Sequence, residues 1–217
     1  MGKRFWRGFL AVCLLTLAWG SVPVEAAKGK GPVGTDAAVS AMEFRSTMKR
    51  LWLEHQGYTR HLVISVLAEL PDLEKVKTRL AKNVEDISEE FKTYYGEERA
   101  GKLTELLKNQ VAVTEEVIRI LAKGTEEQFV EVKAKWEAAA EELAAFLNGC
   151  NPKWSKQDLT NLLFKQSNAL AGQVNARVKK DWDSDFAYYD KSLTGILTFV
   201  DTLAEGIIGQ FPKRFKK

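Results

Sequence analysis

Residues 103–110 read LTELLKNQ and residues 159–166 read LTNLLFKQ, with five identities in eight positions at an offset of 56. Both stretches place leucine at spacings of three and four, the period of a helix with one apolar face. A shift back by 55 sets Met48, Leu51, Trp52 and His55 against Leu103, Leu106, Leu107 and Gln110. A further offset of 56 sets Glu85-Asp86-Ile87 against Glu141-Glu142-Leu143. The economical explanation is a helical hairpin used three times.

Working outward, the boundaries of six helices follow. The first is expected over residues 36–70, stopped by Pro71, and the second from an Asp72 cap to Tyr95-Gly96. The third is expected over 97–123, with Gly124 suited to a left-handed cap. A fourth starts at Thr125, with Gln128 three residues on as a capping box, and ends at Asn148-Gly149. The loop 150–154 leads to Ser155, which caps the fifth helix with Asp158 reaching back. The sixth follows Asp181-Trp182-Asp183 and stops at Pro212. No stretch alternates apolar and polar residues as a half-buried strand does. The expected fold class is all-α: an antiparallel six-helix bundle of three pseudo-repeated hairpins, over about 41–96, 97–151 and 152–211.

The repeat also exposes a polar level inside otherwise apolar stripes. On the odd helices His55, Gln110 and Gln166 fall between apolar neighbours such as Trp52 and Leu62, Leu107 and Val117, or Leu163 and Leu170. Asn83 does the same on the second helix, and the matching positions on the fourth and sixth are the small Ala139 and Gly195. If the stripes converge, His55, Asn83, Gln110 and Gln166 form one layer. A buried amide without partners costs roughly 1–3 kcal/mol, so such a layer is bonded within itself, hydrated, or filled by a ligand. The first case fixes helix register, as polar core residues do in coiled coils; the last makes a small-ligand site.

Ahead of the bundle, Lys3, Arg4 and Arg7 precede a 13-residue apolar run, Gly8 to Gly20, and the small-x-small pattern Val24-Glu25-Ala26. This is the layout of a secretory signal peptide, residues 1–26. The run is short of the roughly 20 residues that span a bilayer, so an uncleaved N-terminal anchor is the alternative reading. Residues 27–40 read as a flexible tether and 213–217 as a basic tail. Cleavage after Ala26 leaves 191 residues with a single cysteine, Cys150, so no intrachain disulfide forms. Losing Lys3, Arg4, Arg7 and Glu25 moves the net charge from +3 to +1, and Lys213, Arg214, Lys216 and Lys217 hold four positive charges of that total. A basic nucleic-acid surface is therefore not expected. The tail could touch anionic envelope polymers or lipid headgroups, against a plain reading as a solubilising, disordered end.

Signatures of catalysis and cofactor binding are sparse. His55 and His61 lie six apart on one helix, no Glu-x-x-His or Cys-x-x-Cys-His occurs, and the glycines of 29–35 lack the Lys-Ser/Thr pair of a phosphate loop. No metal site and no cofactor are expected. Asp181-x-Asp183-x-Asp185 copies half of a calcium loop, but Phe186 stands where the turn glycine belongs, which leaves helix capping as the reading. The acidic pairs Glu85-Asp86, Glu89-Glu90, Glu115-Glu116 and Glu141-Glu142 read as solvated faces beside lysine and arginine. Cys150 reads as a structural thiol in a loop.

Several motifs together carry a resemblance. Leu51-Trp52-x-x-His55-x-x-Tyr58-Thr59-Arg60, Lys82-Asn83-x-x-Asp86-Ile87, Tyr94-Tyr95-Gly96, Asn151-Pro152-x-Trp154 and Asp201-x-Leu203-Ala204-x-Gly206-Ile207-x-x-Gln210-Phe211-Pro212 make residues 51–215 similar to an uncharacterised family of small, often exported, all-helical bacterial proteins. Some relatives carry the labels glycosyltransferase or acetylglutamate kinase, for which these residues offer no nucleotide loop and no sheet. The resemblance implies histidines where this chain has Gln110 and Gln166, and asparagine where it has Ala139, so only His55 and Asn83 carry over. The expectation is an exported, non-enzymatic envelope module, periplasmic or secreted, whose partner is an unidentified envelope protein or a small ligand. The competing expectation is a carrier or sensor built on the layer around His55, the one group there that titrates near neutral pH. For an enzyme, His55 would have to serve as general base without an evident nucleophile.

Overall fold

The computed structural model describes residues 36–215, with side chains from Ser40 onward. The expected signal peptide, most of the tether and the last two lysines lie outside the described residues. Within them the chain is all-α, without a strand, in six helices: α1 (Asp36–Leu67), α2 (Leu73–Lys123), α3 (Glu126–Cys150), α4 (Lys156–Val178), α5 (Trp182–Gln210) and the single turn α6 (Pro212–Phe215). The expected helices two and three are the two halves of α2, divided at Gly96, and the sixth helix by count is the short turn after Pro212. The last residues of the expected tether, 36–40, are already helical.

Gly96 takes φ 81° and ψ 172°, a region that in practice only glycine occupies. Ion pairs across it, Lys108 to Glu85 at 3.1 Å and Lys77 to Glu115 at 3.5 Å, lay the two halves of α2 side by side. Gly96→Ala is expected to cost about 1–3 kcal/mol from backbone strain alone, since no atom crowds the position. An unchanged urea midpoint would contradict this.

The ends of the helices show where capping rules acted. α1 stops at Leu67, three residues earlier than expected. Glu69 adopts φ 52° while the Leu70 amide donates to the Ser65 carbonyl, a Schellman ending that the helix-averse position before Pro71 favours. Asp72 stands at the N-cap of α2 as expected, but its side chain makes no cap bond; its carboxylate accepts from the Ser65 hydroxyl at 2.7 Å. Thr125 and Gln128 form the expected capping box, and Ser155 accepts from the Asp158 amide at 3.2 Å. Gly124 is extended rather than left-handed, and a methyl there would press on Ile120 at 2.8 Å. Cys150 closes α3 instead of lying in a loop and is buried.

Each helix buries one face. α1 packs on α2 and α5, α3 lies between α2 and α4, and α4 packs along α5. One apolar cluster joins Phe44, Met48, Trp52, Phe91, Leu103, Leu147, Trp154, Phe199 and Leu203. A second joins Leu62, Leu80, Val117, Ile118, Val132, Trp136, Leu170 and Val174. α5 is long and apolar enough to cross a membrane by composition, but Ile196, Phe199, Val200, Leu203 and Ile207 are buried in the core. As far as Phe215 the tail is packed: Phe215 is buried against Phe44 and stacks on Tyr94, which corrects the reading of the tail as a disordered end up to that residue.

Candidate functional site

Where the two apolar clusters meet, the bundle leaves a cavity of about 90 Å³. One water needs roughly 10–15 Å³ of such space, so the cavity has room for several waters or one small molecule. Its wall draws on five helices. α1 contributes Trp52, His55, Gln56 and Thr59, and the second half of α2 contributes Leu107, Gln110 and Thr114. Trp136 and Leu143 come from α3, Gln166, Ser167 and Leu170 with Leu163 from α4, and Ile196 from α5. No charged side chain is among them. Three of the four residues expected at the polar level, His55, Gln110 and Gln166, therefore do share one space.

Asn83 does not line that space. It stands behind His55, and its two bonds fix the imidazole. The Asn83 amide Nδ2 donates to the Leu51 carbonyl at 3.0 Å, so its Oδ1 must accept, and His55 Nδ1 lies 2.9 Å from it. The proton of neutral His55 is thus on Nδ1, and Nε2 keeps a free lone pair. Thr59, one turn on, donates its hydroxyl to the His55 carbonyl at 2.9 Å.

The remaining members are not bonded to one another. Gln166 donates from Nε2 to the Ser192 carbonyl at 3.1 Å, reaching over Gly195. A methyl on Gly195 would sit 2.8 Å from Gln166 Oε1, so the small residue on α5 is what admits that amide. Ala139, the other expected small position, is buried on α3 but is not part of the wall. Gln110 Oε1 and Trp52 Nε1 are both buried and have no hydrogen-bond partner among the described residues. A layer bonded within itself is accordingly realised only for the His55–Asn83 pair.

Two grooves abut the cavity. One runs between α3 and α4 and shares Trp136 and Ser167 with its wall. The other lies outside α4 and α5, with Gln166 as the shared residue and Gly195 in its floor. Trp136 is held in place by an Nε1 bond to Thr114 at 3.2 Å.

Burial pushes the His55 pKa below its ordinary value, and the bond to Asn83 opposes this only in part. Unfolded, the group titrates near 6.5, so as the pH falls through that value the unfolded chain takes up a proton that the folded chain resists. Stability should therefore decline from about pH 6.5 downward, by at most about 1.4 kcal/mol per pH unit for one proton. Urea midpoints of wild type and His55→Gln test this. The glutamine can donate to Asn83 without titrating, and its profile should be flatter between pH 6.5 and 5.

Sequence reasoning missed Gln56, Ser167 and Trp136 in the wall. The first two directly follow His55 and Gln166, a flank that a stripe drawn at strict spacing omits. It also missed Gln173, fully buried on α4 outside the wall, with neither amide atom bonded among the described residues. The Asp181-x-Asp183-x-Asp185 motif divides in function: Asp181 caps α5 by accepting from the Ser184 amide, whereas Asp185 is buried between Arg60 and Arg177. Among the described residues no three His, Cys, Asp or Glu side chains gather as metal ligands would. The acidic pairs lie on charged faces, as Asp86 with Lys82 at 2.9 Å and Glu116 with Lys135 at 3.2 Å illustrate. Burial raises the Cys150 pKa, which disfavours the thiolate needed for exchange. No family model, curated protein or solved structure matches this chain.

Proposed function

We propose that this protein is an exported, non-enzymatic bundle, antiparallel and built from three related hairpins, that holds a small uncharged molecule in the cavity between its two apolar clusters. The observation that carries the reading is that two residues of the cavity wall, Gln110 and Trp52, each hold a buried polar atom, Oε1 and Nε1, without a hydrogen-bond partner among the described residues. A layer serving register alone would satisfy its own members, because each orphaned group costs roughly 1–3 kcal/mol. A ligand or ordered water offsets that cost when it binds. Export rests on the N-terminal sequence, and the kinship of the hairpins on the offsets of 55 and 56. The absence of charge on the wall favours an uncharged occupant, since an ion would enter without a counter-charge.

Native mass spectrometry of the mature protein from its own host tests the reading. A bound small molecule is expected on the wild type and is expected to be lost from the double variant Gln110→Leu with Gln166→Leu. That variant should stay folded, because the first substitution removes an unpartnered amide while the second forfeits one bond worth about 1 kcal/mol. A bare wild-type mass, with double-variant stability kept but oligomeric state altered, would favour the register role instead.

A further inference from the structure

We propose that the cavity selects a compact neutral molecule presenting a hydrogen-bond donor beside an acceptor, the edge of a cis-amide or lactam, read by His55 and Trp52. This inference rests on the binding role proposed above and names its ligand class.

The argument starts from the fixed polarity of two groups. The indole Nε1–H of Trp52 can only donate, and it has no partner among the described residues. His55 Nε2 can only accept, because Nδ1 carries the proton toward Asn83, and Asn83 is itself locked by the Leu51 carbonyl. Trp52 and His55 stand one turn apart on α1 with ring centroids 5.8 Å apart, edge to face. A donor and an acceptor within one small molecule can therefore meet both. Gln110 adds an amide that adapts to either polarity, and Leu107, Leu143, Leu163, Leu170 and Ile196 supply an apolar wall for the rest of the molecule.

The same polarity rejects other classes. A carboxylate would bring two acceptors and a charge to His55 Nε2, which offers a lone pair rather than a proton. An ammonium would find the His55 lone pair but face the Trp52 N–H with no carboxylate near. A purely apolar molecule would leave both groups unpaired, and sites built around buried polar groups discriminate strongly against ligands that cannot pair them.

Titration of four probes into the dialysed protein tests the proposal: 2-pyridone, N-methyl-2-pyridone, benzene and benzoate. 2-Pyridone is expected to bind at least tenfold more tightly than N-methyl-2-pyridone and benzene, with benzoate not binding. Trp52→Phe should bring 2-pyridone to within threefold of benzene. The substitution removes the unpartnered N–H together with the second ring of a buried indole, so 2-pyridone and benzene are compared within the variant and circular dichroism checks the fold. Should that variant unfold, Gln110→Leu serves instead, with at least a threefold weaker 2-pyridone complex expected. Equal binding of 2-pyridone and benzene would overturn the ligand class while leaving a binding cavity in place. No binding by any probe, together with a bare native mass, would overturn both readings.

Discussion

Gly206→Ala should lower the stability of the bundle by about 3–5 kcal/mol, the largest loss expected from adding a single methyl group. A Cβ at Gly206 would overlap the Trp154 indole at Nε1, which leaves no room for adjustment in place. Trp154 is only 1% exposed, and its Nε1–H donates to the Thr202 carbonyl at 3.1 Å. The indole is wedged from the other side as well, against Tyr95 with centroids 5.8 Å apart. Beside it the Asn151 side chain donates to the Gly206 carbonyl at 2.9 Å and accepts from the Lys153 amide at 3.1 Å, so the 151–154 turn is tied to the very backbone that the methyl would push. Gln210 completes the tie, accepting from the Tyr95 hydroxyl at 2.7 Å and donating to the Cys150 carbonyl. Expelling the indole would cost what deleting a buried tryptophan costs, about 3–5 kcal/mol. For a chain of this size that corresponds to a drop of roughly 6–20 °C in melting temperature. The second half of the test is a cycle: once Trp154→Ala has emptied the site, Gly206→Ala should add less than about 1 kcal/mol. A large additional loss in that background would show that the damage comes from elsewhere than the indole.

That the sequence Asn151-Pro152-x-Trp154 and the segment from Asp201 to Gly206 belong together was visible only as two motifs far apart in the chain. Nothing in spacing reveals that a glycine on α5 serves a tryptophan 52 positions earlier, because helical periodicity reports which face is buried and not which residue lies opposite. The same limit explains the candidate site. Met48, Trp52, Leu62 and Val66 are buried on α1 as their spacing requires, and so are Leu103, Leu107, Thr114 and Val117 on α2. The polar level was legible because Gln110 and Gln166 repeat at the same place in similar stretches, and both reach the cavity wall with His55. Asn83 was placed at the right level but in the wrong role, since orienting a histidine from behind and lining a space give the same sequence spacing. Capping was legible where the side chain's partner is three residues away, as at Thr125, Ser155 and Asp181. At Asp72 the position was right but the cap bond was not, because a tertiary partner, Ser65, wins the carboxylate.

Asp185→Asn is the second large effect expected, about 3 kcal/mol, and it probes a part of the molecule that local sequence rules assigned to capping. The Asp185 carboxylate is 1% exposed and takes both nitrogens of a guanidinium fork from Arg60, at 3.1 and 3.0 Å, and a third bond from Arg177 at 2.6 Å. One carboxylate on α5 thus joins α1 and α4 just after the turn where Lys180 takes φ 60°. Aromatic rings hold the arginines in place: Arg60 lies over Phe186 and Tyr189 at 4.8 and 4.5 Å, and Arg177 over Trp182 at 5.5 Å. Asparagine keeps the shape but removes the charge, leaving two guanidinium groups beside each other. Breaking a buried pair by neutralising one partner costs about 3–5 kcal/mol. The lower end applies here, because the two arginine side chains remain 13% and 20% exposed and water relieves part of the repulsion. Screening separates this contact from the surface pairs: the loss should persist in about 1 M salt, whereas any contribution of an exposed pair such as Arg50–Glu54 should fade. Replacing all three members together, Asp185→Leu with Arg60→Met and Arg177→Met, should recover much of the lost stability, since the cost arises from stranded charge more than from lost attraction. If the single variant instead loses less than about 1 kcal/mol, the clasp is not what joins α1, α4 and α5 at this end, and the second apolar cluster, with Leu62 and Val63 of α1 and Leu170 and Val174 of α4, must hold those two helices unaided.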